Sequence, residues 1–119
     1  MFEGDSPMRL STGAGETRSA PVDLEHLARQ TLDDKEVQRE VLKMFVDQIA
    51  VALSSIEALG EKDRFALAHS LKGSARSVGA FALADCAEQI EQDPQDLSAI
   101  PGLRLRAAEV CAYIEGLRL

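Results

Sequence analysis

Between Lys35 and Leu59 the apolar residues step by three and four: Val41, Phe45, Ile49, Ala52, Ile56 and Leu59. A helix brings residues at that spacing onto one face, and Leu42, Val46 and Leu53 widen the stripe. Gly60 follows, the residue type expected just past a helix end. The spacing therefore predicts a long helix from about Lys35 to Leu59. One face of it must be buried, so other elements have to cover it.

The rest of the chain supplies them. Asp23 is a candidate N-cap for a short helix to Gln30, with Leu24 and Leu27 on its apolar side. A further helix should start near Lys62 or Asp63 and reach Ser77 or Val78, where Gly79 closes it. The next should begin around Ala80 and run to about Gln92, with Phe81, Leu83, Ala84, Ala87 and Ile90 inward. Asp93-Pro94 ends it. The last holds Leu103, Ala107, Val110, Ile114 and Leu117 at alternating steps of four and three. Asp96 or Ser98 could cap it, with Pro101 in its first turn. Short links force antiparallel neighbours. The expected fold is all-α: an antiparallel up-down-up-down four-helix bundle with a short extra N-terminal helix. It would occupy residues 22–119, behind a flexible Gly/Ser/Thr/Pro-rich tail at 1–21. Aromatic residues are only 4% and Trp is absent, so Leu, Ile, Val and Ala must build the core. No heptad array or long a/d seam stands out.

A net charge of -7 disfavours nucleic acid and anionic membrane surfaces as partners, since both need a cationic footprint. No run approaches a transmembrane length, and MFEGDSPMRL lacks the pattern of a signal peptide, so the cytoplasm is expected. Cys86 and Cys111 lie in apolar helical patterns without metal spacing and are expected to be buried thiols. Neither His26 nor His69 has a Glu three residues before it, as an inward-facing di-metal bundle would need.

The stretch Ala68–Ala80, AHSLKGSARSVGA, carries the chemistry. At about 100° per residue, Leu67, Leu71 and Val78 fall opposite His69, with Ser74 and Ala75 beside them. Phe65, Ala66, Lys72, Gly73 and Arg76 fall on the histidine's own side. His69 should therefore point outward. Gly73 in a helix interior costs ~1 kcal/mol relative to Ala, and Phe65 exposes a ring. Both features suit a docking surface around an accessible imidazole.

These residues resemble the histidine-containing phosphotransfer (HPt) domains of multistep two-component phosphorelays. The match is His69, Lys72, Gly73, Ser74, Ala75 and Gly79, with VDLEHLARQ, GEKDRFALAHSLKG and LADCAEQIE in the order such domains show, over roughly residues 22–117. The resemblance implies that His69 accepts a phosphoryl group on Nε2 from a receiver-domain aspartyl phosphate and passes it to another receiver. It implies no ATP site and no autophosphorylation, with Mg²⁺ on the receiver and none intrinsic. Response-regulator receiver domains are the implied partners, with a hybrid histidine kinase as a further candidate, and the protein is implied to be a monomer. Lys72 would give electrostatic support. Phe65, Ala66, Gly73 and Arg76 would meet the partner, and Ser74 and Gly79 would serve the helix motif. Family members often place Gln on the following helix to orient the histidine. Glu91 occupies that position here and is the candidate orienting group; Gln89 would point elsewhere. The competing readings are an adaptor bundle that binds a receiver without phosphotransfer and a sensor-kinase dimerisation helix pair. The latter expects an acidic residue after the histidine, where Ser70 stands.

Overall fold

A computed structural model describes residues 20–118. The chain forms five α-helices there: α1 Leu24–Gln30, α2 Lys35–Ser55, α3 Glu61–Val78, α4 Phe81–Gln92 and α5 Ile100–Glu115. A one-turn 3-10 helix, Leu97–Ala99, leads into α5. The described residues contain no strand, and the helices form the expected bundle with its short N-terminal helix. Residues 1–19, which hold nearly all of the expected tail, lie outside the described residues.

Local chemistry sets the helix starts. The Asp23 carboxylate accepts from the His26 N–H at 3.1 Å. Asp34 Oδ1 accepts from the Glu36 and Val37 N–H groups at 3.0 and 3.2 Å. Each satisfies donors that a helix start leaves open. Asp96 is the cap that leads into the last helix, accepting from the Ser98 N–H at 2.9 Å, and Pro101 sits in the first turn of α5.

The end of α2 differs from the sequence expectation. The helix stops at Ser55, and Gly60 begins α3 in extended backbone instead of closing α2. The cause is Arg64, a buried guanidinium on α3. Its Nε donates to the Ile56 carbonyl at 2.8 Å, and its Nη2 to the Glu57 carbonyl at 2.9 Å and to that of Leu59. Nη1 reaches the Pro94 carbonyl at 2.7 Å. One side chain thus gathers the carbonyls of the α2–α3 link and ties them to the α4–α5 link.

The core is aliphatic and alanine-rich, as the composition requires. Leu42, Phe45, Ile49 and Ala52 of α2 meet Ala68, Leu71, Ala75 and Val78 of α3. Leu83, Ala84, Ala87 and Ile90 of α4 and Leu103, Ala107 and Val110 of α5 complete it. Alanines at the facing positions of α3 and α4 let those two helices pack closely. Val41 is only partly buried, at the rim. Phe81 is half-buried, with its ring edge-on to His26 at 5.2 Å between centroids. Cys86 and Cys111 are half-buried free thiols, and burial pushes both upward in pKa. No described helix is long and apolar enough to cross a membrane.

Gly79 closes α3. Its φ of +89° is left-handed, its N–H reaches the Arg76 carbonyl, and the Ala80 N–H reaches that of Ala75 at 2.8 Å. This is a Schellman closure. The Gly79 carbonyl also accepts from the Asp23 N–H at 2.9 Å, which docks the start of α1 on the α3–α4 corner.

Candidate functional site

The buried face of α3 fixes where His69 points. With Ala68, Leu71, Ala75 and Val78 turned into the core, His69 stands opposite them, its side chain 64% exposed. Gly79 then reverses the chain, so α4 runs back beside α3 and its last turn lies next to the histidine. Two rungs cross between the helices in antiparallel register. Glu91 meets His69 and Lys72, and Glu88 meets Arg76 at 2.5 Å.

Glu91 lies at the centre of the first rung. Its side chain is only 12% exposed. Oε2 is 2.6 Å from His69 Nδ1. Oε1, itself buried, lies 2.5 Å from the Lys72 ammonium nitrogen. The Lys72 ammonium, and then the His69 ring, hold the Glu91 carboxyl below its ordinary pKa. An ionised carboxylate only accepts, so Nδ1 must carry the proton in this contact. In the neutral ring that leaves the lone pair on Nε2, the nitrogen aimed away from the bundle. Lys72 is 17% exposed and reaches back to Glu91. Its charge offsets the field that a lone carboxylate would exert on the imidazole.

Phe65 lies one turn before His69 with its ring parallel, 6.1 Å between centroids and 8° between planes. It is 45% exposed, so it limits the ring's movement on one side and leaves apolar surface next to the nitrogen. Ala66 is exposed beside it. Gly73 is one turn beyond the histidine, and a Cβ built there would meet no atom within 4 Å. The fold does not need that gap. Gly73 opens instead on a groove of about 480 Å³ between α2 and α3, lined also by Val41, Met44, Gln48, Ser74 and Ser77.

His69, Lys72, Glu91 and Phe65 thus converge, with Ala66 and Gly73 beside them. Arg76 shares the helix face but belongs to the neighbouring rung. Gln89 is exposed and apart from the site. Sequence reasoning missed Arg64, whose helical angle falls on the buried face of α3, and it missed the groove along α2. The angle was available as a signal for Arg64; its partners were not.

A family model described as Hpt domain matches residues 40–117. Neither a curated protein nor a solved structure matches the chain significantly. The matched span is well over half of the chain, runs from within α2 past the end of α5, and includes His69, Lys72, Gly73 and Glu91. An outward histidine, held at Nδ1 on a closed helical bundle, is thus joined to a family match across that bundle, and the chain belongs to the Hpt domain family.

Proposed function

We propose that His69 takes a phosphoryl group from the aspartyl phosphate of one receiver domain and delivers it to another. Membership in the family makes the chain a phosphotransfer module. The observation that supports His69 as the acceptor is the Nδ1–Glu91 contact at 2.6 Å on an otherwise exposed ring.

The Nε2 lone pair attacks phosphorus while the bond from phosphorus to the aspartyl oxygen breaks, and the receiver's carboxylate departs. The ring then carries phosphorus on Nε2 and a proton on Nδ1, and is cationic. Glu91 balances that charge and keeps the ring from rotating. Transfer of this kind needs positioning and charge neutralisation more than covalent chemistry from the protein. Lys72 acts through Glu91, and Gly73 leaves room for the incoming loops. The receiver supplies Mg²⁺. Onward transfer is the same step reversed on a second receiver.

The test is phosphotransfer from a panel of phosphorylated receiver domains to wild type and to His69→Gln. Label on wild type alone, acid-labile and base-stable, is the expected result. A folded protein left unlabelled by the organism's full receiver set would rule the proposal out in favour of an adaptor that binds without transfer.

A further inference from the structure

The chain is acidic, with a net charge of -7, yet one seam of the bundle collects cations. Arg39 and Lys43 stand one turn apart on α2, and Arg118 lies just past the end of α5. With Leu42, Ile114 and Leu117 these three line a cavity of about 440 Å³. The acids near them in sequence, Glu36, Glu40, Asp47 and Glu115, do not line it. None of the three cations forms an ion pair with another described residue.

A second cavity of about 220 Å³ continues the same α2–α5 seam. Val46, Leu53, Ala108 and Cys111 line it, and its open walls are apolar. One helical turn separates Lys43 from Val46 and Cys111 from Ile114, so the cavities lie end to end. From Arg39 to Leu53 the trough runs about 20 Å. Arg104 borders the apolar cavity, but its guanidinium is committed to Glu57 at 2.7 Å. The helices pack in a ring, α2 on α3, α3 on α4, α4 on α5 and α5 on α2. The trough is therefore on the far side of the bundle from the α3–α4 seam that holds His69.

Its two ends select one kind of occupant. Three cations at one end call for an anion, and arginine suits a carboxylate because its fork donates twice. A dry apolar end calls for hydrocarbon. The volumes suit a small molecule. A partner helix, about 10–12 Å across, would ride above the seam without filling it. We propose that the trough binds a long-chain fatty acid. Its carboxylate sits between Arg39, Lys43 and Arg118, and its chain runs past Val46 toward Leu53 and Cys111. This site is independent of the phosphotransfer reading.

The two thiols supply the test. Cys111 lines the apolar cavity, whereas Cys86 lies against Gly102, at the α4–α5 seam. The full chain is treated with N-ethylmaleimide at rising laurate, below micelle formation, and each thiol is followed by mass spectrometry. Alkylation should slow several-fold at Cys111 and keep its rate at Cys86. Decanoate, two methylenes shorter, should need about tenfold more ligand for the same protection. Decanol lacks the charge and acetate lacks the chain, so both should protect far less than decanoate. Arg39→Ser/Lys43→Ser changes two exposed positions and should raise the laurate needed by about tenfold or more. Amide shifts in a laurate titration should fall along residues 39–53 and 104–118 and leave 65–73 still. Equal protection by decanol and decanoate, or full protection of the double variant, would overturn the proposal. Faster alkylation of both thiols would do so too, since laurate would then be unfolding the bundle. Shifts outside the seam, or protection of Cys111 by an acidic amphipathic peptide and not by laurate, would also overturn it.

Discussion

Gly73 and Gly79 lie on one helix and its closing turn, and they serve opposite purposes. At Gly79 the backbone is left-handed, and a Cβ would stand 2.7 Å from the Asp23 carbonyl oxygen. At Gly73 the backbone is ordinary helix and a Cβ would meet nothing within 4 Å. The first glycine is required by contacts inside the chain. The second weakens its own helix for no benefit that the folded chain realises. A residue that costs stability and fills no internal need points to something outside the molecule. The same division runs along α3: Arg64 and Gly79 are committed to the fold, while His69 and Gly73 face away from it.

The largest effect expected from this contrast is at Gly79. Gly79→Ala combines left-handed strain with a clash against backbone that cannot swing aside, a loss of about 2–4 kcal/mol. Urea denaturation would show the midpoint falling with little change in slope. A variant as stable as wild type would mean that the α3–α4 corner relaxes freely, and the contrast between the two glycines would disappear.

Gly73→Ala should move stability the other way. Replacing an interior helical glycine by alanine adds about 1 kcal/mol when nothing obstructs the methyl group. Transfer to and from His69 should nevertheless slow, because the methyl group enters the space left for the partner. Melting temperature and transfer rate, measured on one preparation, would then change in opposite senses. A rise in both would show that the gap has no role in docking.

How much could be read beforehand follows the same division. The α3 periodicity alone turned His69 outward, since one strong stripe fixes all other directions on a helix. Gly79 was legible as a closing residue, although its contact with Asp23 was not, because those residues are far apart in sequence. Glu91 was reached only through family likeness; no local pattern says that a carboxylate on α4 will meet an imidazole on α3. Arg64 shows the limit most clearly. Its partners run from Ile56 to Pro94, and the last is thirty residues away. The apolar pattern through Leu59 read as continued helix because nothing local reveals that Arg64 will claim those carbonyls. The groove beside α2 was hidden for another reason: Val41, which lines it, also fits the core stripe, and the core stripe accounts for it first.

The smallest expected effect lies between these two classes of residue, at Glu91, which joins the two helices and also holds the ring. Its pKa is lowered in the folded protein by Lys72 and then His69. A carboxylate with a lowered folded pKa contributes stability above its unfolded pKa, and the contribution fades as pH falls through the folded value. The stability difference between wild type and Glu91→Gln should therefore be present at neutral pH and shrink in acid below the ordinary carboxylate range. The change should be modest, since the rung is open to solvent at its His69 end and is screened there. The imidazole gives the sharper reading. In wild type the neutral His69 ring should carry its proton on Nδ1, because Glu91 can only accept there. Nitrogen chemical shifts of the ring distinguish the two tautomers. Glu91→Gln can still accept through its amide oxygen and should keep the Nδ1–H form, whereas Glu91→Ala should release the ring and slow transfer. If Glu91→Ala lost its share of stability but left the tautomer unchanged, Glu91 would be a brace between α3 and α4, and the orientation of Nε2 would have to come from Phe65 and the helix itself.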